Sequence, residues 1–590
     1  MTATAASAVW ESKLKEIRNK YERARKLIDI ESMPAWSTPR TAAYQLYRST
    51  QALKILKELL EVIGQIETDS PSKEHVRALI KHDIGFVATE TSEASLGLEC
   101  CEECLRIIGE DRYEDPSFCS LAISALNRLG FIALGQSTDY DGRGSDPTRA
   151  CEHLKLAENI YAKVSAGDLT GVRGFSDYFL PEGQACSETG VKDLERAHVY
   201  TLYYMVQAYE LLGEKEKAAM YSYRTLKKQL ATGDVDSVDW ADAVARLSQF
   251  FIIGGNFGAG RHLLVCASYV LGQYATELDR DQSSPDHKEV KEEMLKCMSA
   301  NAALCWAKYS LLLLVASREE ATGQKDQEQS PSNQPYLLIE LPEITALEAA
   351  VTDKLVANFD GAKPVFLMGL QWLTEAKDYY TVKSHTKEYI EIIQAMSKLY
   401  KELAFFEPAA DRRCKMHKRR IDMLEEVLKE VNPKLYLNQC HLVMCELGQT
   451  YNEMMDIKFS SLSAAVKPNS HAVKKINSLI DKAIHHYTSF LDTLRDTSNE
   501  YPDKFADVLA RPALRALFCV GTLHSRKVFQ DLGEQIANLE MTKDSYEFVV
   551  NYCKKAPEHV PLVKEELEVM TKLLQLIPGM LQSLMSSAVY

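Results

Sequence analysis

The sequence has little glycine and few segments in which apolar and polar residues alternate. Glycine accounts for 27 of 590 residues, and it clusters at predicted turns such as 254–255. Strict alternation marks a half-buried β-strand, whereas apolar residues here recur three and four positions apart, as in Leu53, Leu56 and Leu60. The sequence therefore predicts an all-α fold of long helices joined by short turns.

A long apolar run is also missing. The best candidate, 309–316, is far shorter than the roughly 20 residues that span a membrane. The first ten residues lack the basic region and sustained apolar segment of a secretory signal. The 14 cysteines are mostly scattered singly within helical patterns, as is typical of reduced thiols. We therefore expect a cytoplasmic protein without membrane insertion.

Positive charge and catalytic motifs are scarce. The chain has 69 lysines and arginines against 83 acidic residues, which gives a net charge of -14. Such a surface is a poor partner for nucleic acid. The sequence contains no GxSxG, HExxH or Walker A pattern. These absences predict a protein without enzymatic activity, cofactor or nucleic-acid partner.

A short cysteine motif has to be weighed as a metal or redox site. Cys101 and Cys104 form a CxxC, preceded by Cys100. A structural zinc needs four ligands, and no second CxxC or spaced histidine pair supplies the other two. Both cysteines occupy positions where a helix pair needs small packing residues. We interpret them as core residues and expect no metal; His485 and His486 also lack a carboxylate at ligand spacing.

What the sequence does contain is a degenerate repeat of helix pairs. In 202–226, Tyr209, Gly213 and Ala218 fall at tetratricopeptide offsets. The aromatic residue fills the gap between two helices, glycine allows a left-handed turn, and alanine lets the second helix approach. Further predicted pairs carry the same kinds of residue: Phe251, Gly255 and Gly260; Leu129, Gly130 and Leu154; Gly85, Cys101 and Cys104; Gly448, Ala483 and Tyr487; and Tyr400 with 413–424.

This array predicts a right-handed α-solenoid of tetratricopeptide-like pairs in two halves. The predicted domains are N-terminal helices or a cap at 1–75, a solenoid at 76–317, a disordered polar loop at 318–335 and a second solenoid at 336–590. The loop is rich in Glu, Gln, Ser and Pro without apolar periodicity.

A basic block stands out in this acidic chain. It consists of Arg412, Arg413, Lys415, His417, Lys418, Arg419 and Arg420. A solvated helix face, a nuclear import signal and a patch for an acidic partner are the competing interpretations.

The first helix of a repeat pair lines the concave surface, so its polar face is where a partner would bind. With Tyr209 in the core, Tyr203, Tyr204, Gln207 and Glu210 should face this groove, and Asp242, Ala245, Arg246 and Gln249 form the stripe of the next pair. Aromatic, amide and guanidinium groups are common at protein interfaces.

Several longer runs resemble the KIF-binding protein family, from about residue 75 to the last residue. These runs are 203–209, 216–219, 225–230, 247–250, 412–421, 451–456, 473–477 and 490–496. The resemblance implies an α-solenoid that binds kinesin motor domains on its concave face and blocks their attachment to microtubules. It further implies a cytoskeletal association and roles in organelle transport, neurogenesis and axon growth or maintenance.

The resemblance also selects the candidate partner-binding residues, which lie on or beside family-like runs. They are Tyr203, Tyr204, Gln207, Gln229, Arg246 and Gln249. Arg246 departs from the small polar residue that the family resemblance leads us to expect. Other cytoskeletal regulators are further candidate partners. The alternatives are a general co-chaperone-like adaptor, which would need a lysine and asparagine carboxylate clamp, and a helical enzyme.

Overall fold

The computed structural model describes residues 3–28, 39–67, 70–91, 93–135, 145–180, 189–233, 236–281, 284–323, 339, 341–463, 470–528 and 531–587. Within these ranges the chain forms α-helices and short 3₁₀ turns, without a β-strand. The predicted all-α fold class is confirmed. The helices are α1 (Ala3–Leu27), α2 (Pro39–Gly64), α3 (Pro71–Glu90), α4 (Ala94–Ile108), α5 (Cys119–Ala133), α6 (Pro147–Ser165), α7 (Thr189–Leu211), α8 (Lys215–Thr232), α9 (Ser237–Ile253), α10 (Phe257–Asp279), α11 (Pro285–Thr322), α12 (Thr345–Ala349), α13 (Phe359–Tyr379), α14 (Thr386–Phe406), α15 (Ala410–Glu430), α16 (Leu437–Ser463), α17 (Ser470–Asp492), α18 (Asp507–Ser525), α19 (Leu532–Lys555) and α20 (Lys564–Ser587).

The chain divides into two compact units, Met1–Asp236 and Ser237–Tyr590. These units do not follow the predicted domain limits, since the limit at 75 lies inside α3 and 318–323, the described part of the predicted loop, lies inside the second unit. Within that unit, α11 packs against α13 and α14, which follow this segment in the chain.

The prediction of a disordered loop was wrong for its first residues. The segment 318–322 is the last part of α11, and Gly323 ends the helix in a left-handed conformation. Arg318 is anchored there, because its Nε donates to the buried carboxylate of Glu402 at 2.8 Å. The rest of the predicted loop, 324–335, lies outside the described residues.

The helix pair α7/α8 forms as its residue types predict. Tyr209 and Ala218 are buried in one apolar cluster, and Gly213 turns the chain between the helices with φ = 75°. A side chain at that φ would be strained, which explains the glycine. Gly255 has the same role between α9 and α10, with φ = 77°.

Other glycines lie where two helices of a pair cross closely. A Cβ added to Gly85 would stand 2.5 Å from Sγ of Cys101, and one added to Gly448 would stand 2.7 Å from the ring of Tyr487. These contacts confirm the predicted pairs α3/α4 and α16/α17. They also confirm the core interpretation of the CxxC motif, since Cys101 and Cys104 are both fully buried. Burial raises the pKa of the Cys101 thiol to about 12.

Helix α1 is an integral part of the first unit. Its apolar side buries Trp10, Ile17 and Tyr21, while lysines on the opposite side are exposed. The hydroxyl of Tyr21 donates to the buried carboxylate of Asp83 on α3 at 2.7 Å, and Arg25 approaches the same carboxylate at 3.4 Å. A polar outer face with a buried inner face is what a helix at the edge of an array requires.

One described helix, α11, is long and apolar enough by composition to cross a membrane. Half of the residues in its most apolar 18-residue segment are buried within the structure. It packs against α9, α10, α13 and α14, which is the environment of a core helix.

Candidate protein-binding surface

The first helices of successive pairs in the first unit form a row. Helix α3 contacts α5, and α5 contacts α7, in addition to the contacts that each makes within its own pair. We call these three helices the first-helix row. In repeat arrays such a row provides the extended surface that binds partners.

A continuous group of aromatic side chains lies across this row. We call Phe86, Phe131, Tyr200, Tyr203 and Tyr204 the aromatic cluster. The ring of Tyr204 lies 5.5 Å from that of Phe131 on the neighbouring helix. On its own helix it lies 6.3 Å from Tyr200 and 5.6 Å from Tyr203. These separations are typical of interacting rings.

Arg128 on α5 joins Phe86 of α3 to the rest of the cluster. Its guanidinium carbon lies 3.8 Å from the ring centre of Phe86 and 4.9 Å from that of Phe131. The same group donates to the Thr89 hydroxyl at 3.0 Å and to the Glu90 carboxylate at 3.1 Å. Because Arg128 is buried, these contacts replace the water that its charge would otherwise hold. Arg128 therefore fixes α3 against α5 and orients two rings of the cluster.

The two candidate tyrosines on α7 differ in their surroundings. Tyr203 is 38% exposed, as a residue on a binding surface should be. Tyr204 is partly buried and packs against the apolar core that contains Leu202, Met205 and Tyr209. Burial raises the pKa of the Tyr204 hydroxyl to about 12, although the nearby charge of Arg128 opposes this shift. Tyr204, which we expected to face the groove, therefore also packs against the core of its helix pair.

The remaining candidates are spread over both units. Gln207 and Gln229 are half-buried on α7 and α8 of the first unit, whereas Arg246 and Gln249 lie on α9 of the second. Arg246 is 69% exposed at its side chain and pairs with Asp242 at 2.7 Å. Gln249 Nε2 donates to the Ser248 hydroxyl at 3.0 Å, while its Oε1 is buried and has no hydrogen-bond partner among the described residues.

The structure brings only Tyr203 and Tyr204 into one aromatic group, and the binding role of all six residues stays a prediction. Ala245, which was expected on the same stripe as Arg246, is buried. This placement was wrong because α9 also packs against α11, which covers that side of the helix.

Sequence reasoning missed Phe86, Phe131 and Arg128. A usable signal was present, since Phe86 and Phe131 each directly follow the glycine at which their pair crosses, Gly85 and Gly130. A bulky aromatic residue beside a packing glycine must point away from the second helix of its pair. Arg128 gave no comparable signal, because its burial depends on α3.

The basic block on α15 is not a uniform surface patch. Arg420 is 1% exposed and donates to Glu453 at 2.5 Å and to the Ser397 hydroxyl at 3.1 Å. His417 is buried beside it, and burial together with the Arg420 charge lowers its pKa to about 4. Lys418, by contrast, is exposed and pairs with Asp422 at 2.6 Å. Arg420 and His417 therefore hold α15 to its neighbours, together with Arg419, which donates to the Tyr400 hydroxyl of α14 at 3.2 Å. Only the outward-facing members can contribute to a surface.

Within the described residues, no group of three or more histidine, cysteine, aspartate or glutamate side chains is placed to hold a metal ion. The surface on the first-helix row instead offers rings, amides and one buried guanidinium. Paired helices with this kind of surface define the class of the molecule, a tetratricopeptide-like α-solenoid.

The family is defined by comparison with known proteins. The family model for the KIF-1 binding protein C terminal matches residues 238–584. The KIF-binding protein of Danio rerio is 33% identical over 527 residues, which cover 85% of this chain and 82% of that protein. The KIF-binding protein of Homo sapiens is 32% identical over 525 residues, covering 85% and 83%. A solved structure of kinesin binding protein (KBP) has a TM-score of 0.63 and 28% identity, covering 96% of this chain and 98% of that one. This chain belongs to the KIF-binding protein family, which confirms the resemblance drawn from its sequence.

Proposed function

We propose that this chain binds kinesin motor domains and thereby keeps them from attaching to microtubules. The observation that carries the proposal is the aromatic cluster on the first-helix row of a chain whose relatives are named for binding KIF proteins. No covalent chemistry is involved in this function, so the protein acts by occupancy alone.

The physical basis is competition for one surface of the motor. A helix of the motor would lie against the first-helix row, with apolar side chains on the rings of the cluster. The net charge of -14 favours a partner whose binding surface is basic, as the surface of a microtubule-binding motor must be, since it meets an acidic polymer. A motor held in this way cannot place the same surface on tubulin.

Such a protein would act in the cytoplasm beside the cytoskeleton. By choosing which motors reach the microtubule, it would regulate the transport of organelles and, in neurons, the growth and maintenance of axons. These roles depend on motor binding, so they are wrong if the chain does not bind motors.

Microtubule co-pelleting with purified kinesin motor domains tests the proposal. Each motor of a panel is incubated with microtubules and increasing amounts of the full chain, and the pelleted motor is measured. We expect at least one motor to move to the supernatant as a complex with the chain. If every motor stays on the microtubules in the presence of excess chain, the proposal is wrong, and a general adaptor for another class of partner becomes the better hypothesis.

A further inference from the structure

Helix α20 carries two apolar stripes, one buried and one exposed. Met570 and Ile577 belong to the buried stripe, which packs α20 against α18 and α19. About 100° around the helix lies a second stripe, formed by Val569, Leu573, Leu576 and Met580. We call this second stripe the α20 seam.

The members of the α20 seam are exposed to an unusual degree for a row of large apolar side chains. Leu576 is 60% exposed and Met580 51%. Val569 and Leu573 are 45% and 36% exposed. Single exposed leucines are common, but a continuous row along two turns or more of a helix is characteristic of a surface that packs against another helix.

The spacing within the seam reads the same in both directions. Its members are separated by four, three and four residues, from Val569 to Met580. When two such helices pair in antiparallel orientation about a two-fold axis, Val569 meets Met580 of the second copy, and Leu573 meets Leu576 of the second copy. Every apolar residue then finds an apolar partner, which is the requirement for an isologous interface.

Charge selects the antiparallel orientation over the parallel one. All charged residues of α20 lie in its first nine positions, and 573–587 carries no charge. Lys564, Glu565, Glu568 and Lys572 are exposed, whereas Glu566 is paired with Arg515 at 3.3 Å. Parallel pairing would set each of these charges near the same charge of the second copy. Antiparallel pairing sets them beside the uncharged half of the partner helix and also aligns the helix dipoles favourably.

We propose that the α20 seam is a self-association surface, through which two copies of this chain form an antiparallel dimer. This inference concerns the second unit and does not depend on kinesin binding. Four partly exposed side chains make an interface below the standard size, so the dimer should be weak and should depend on concentration.

The molar mass of the full chain in solution tests the proposal. Sedimentation velocity across about 1 to about 100 μM covers the range of weak association. We expect the mass to rise from one chain of 66.5 kDa towards two. The variant Leu576→Glu should remain monomeric throughout. The matched control is Leu442→Glu on α16, because Leu442 is similarly exposed at 58%, and it should dimerise like the unaltered chain.

A charge-swap experiment tests the antiparallel orientation. It also controls for misfolding, because misfolded variants would not associate when they are mixed. The variants Leu573→Lys and Leu576→Glu should each be monomeric alone, but an equimolar mixture should form a heterodimer, since residues 573 and 576 face each other only in the antiparallel register. A chain that is monomeric at every concentration overturns the proposal, as does a dimer that survives Leu576→Glu. Failure of the mixture to associate overturns the antiparallel geometry. If the seam instead binds a helix of another protein, the chain alone will be monomeric at every concentration.

Discussion

Each unit of the molecule contains a buried arginine, and the two arginines are neutralised in different ways. In the first unit, Arg128 lies between aromatic rings and bonds a carboxylate, Glu90, whose side chain is half exposed. In the second, Arg420 lies among the less exposed carboxylates of Glu453 and Glu446. A guanidinium held by rings helps to shape an outer surface, whereas one held by partly buried carboxylates fixes helices to one another. The comparison shows why the candidate binding surface lies around Arg128 and not around the basic block.

The largest expected effect is at Arg420. Although burial opposes ionisation, the charges of Arg420 and Lys401 keep the pKa of Glu453 below its usual value. Arg420→Met would leave that partly buried carboxylate without its main partner, and we expect a loss of about 3 kcal/mol in the free energy of unfolding. Chemical denaturation measures this loss, with Lys418→Met as a control that should cost less than about 1 kcal/mol.

The double variant Arg420→Met with Glu453→Gln sharpens this result, because it removes both charges of the pair. It should recover a large part of the lost stability. If the double variant is no more stable than Arg420→Met, the effect comes from packing and not from an unpaired charge.

A smaller effect is expected at Arg128. Arg128→Met removes the stacking on Phe86 and the hydrogen bond to Thr89, but Glu90 can turn to water. We therefore expect a loss of about 2 kcal/mol in the free energy of unfolding. Unlike Arg420→Met, this variant should also weaken partner binding, since Phe131 is no longer held. Equal losses of stability at Arg128 and Arg420, measured by the same denaturation, would contradict the distinction between the two sites.

His198, in the first unit, should make the stability of the fold depend on pH. The centre of its ring lies 3.5 Å from that of Tyr161. Burial, together with the charges of Lys228 and Arg224, lowers the pKa of His198 to about 3. The unfolded chain, with an ordinary pKa near 6.5, binds the proton more readily, so stability falls as the pH drops below about 6.5. His198→Phe keeps an aromatic ring at this position but cannot bind a proton. At pH 5 it should therefore avoid a loss on the order of 2 kcal/mol in the free energy of unfolding. Thermal unfolding at pH 7 and pH 5 measures the difference; an unchanged pH dependence would count against a buried neutral imidazole.

The smallest effects, expected to be alike in both units, concern the left-handed turns. Gly213 and Gly255 have φ of 75° and 77°, and no atom of the described residues lies within 4 Å of an added Cβ at either position. Alanine at each position should lower the free energy of unfolding by about 1 kcal/mol through backbone strain alone. Asparagine should lower it by less. Denaturation midpoints of the four variants check this. A much larger loss at one position would reveal a contact that the structure does not contain.

The features of the fold that the sequence predicted are those set by steric contacts within a single helix pair. Tyr209, Gly213 and Ala218 were predicted correctly because each residue type is required by its own helix pair. The burial of Tyr204, Arg128 and Arg420 depends on helices that are distant in sequence, so the periodicity of one helix could not reveal it. The polar composition of 318–322 suggested a loop, but the ion pair between Arg318 and Glu402 holds these residues in α11. Of the candidate surface, the sequence supplied Tyr203 and Tyr204 but not the rings beside them.

The most direct test of the central claim is the affinity of a kinesin motor domain for two matched tyrosine variants. Tyr203→Ser removes the most accessible predicted contact of the aromatic cluster, while Tyr47→Ser changes a tyrosine on α2 that is 63% exposed and outside the first-helix row. We predict that Tyr203→Ser weakens binding by at least about tenfold, with unchanged helicity by circular dichroism, and that Tyr47→Ser leaves the affinity unchanged. Equal affinities for both variants and the unaltered chain would contradict the assignment of the binding surface to the first-helix row.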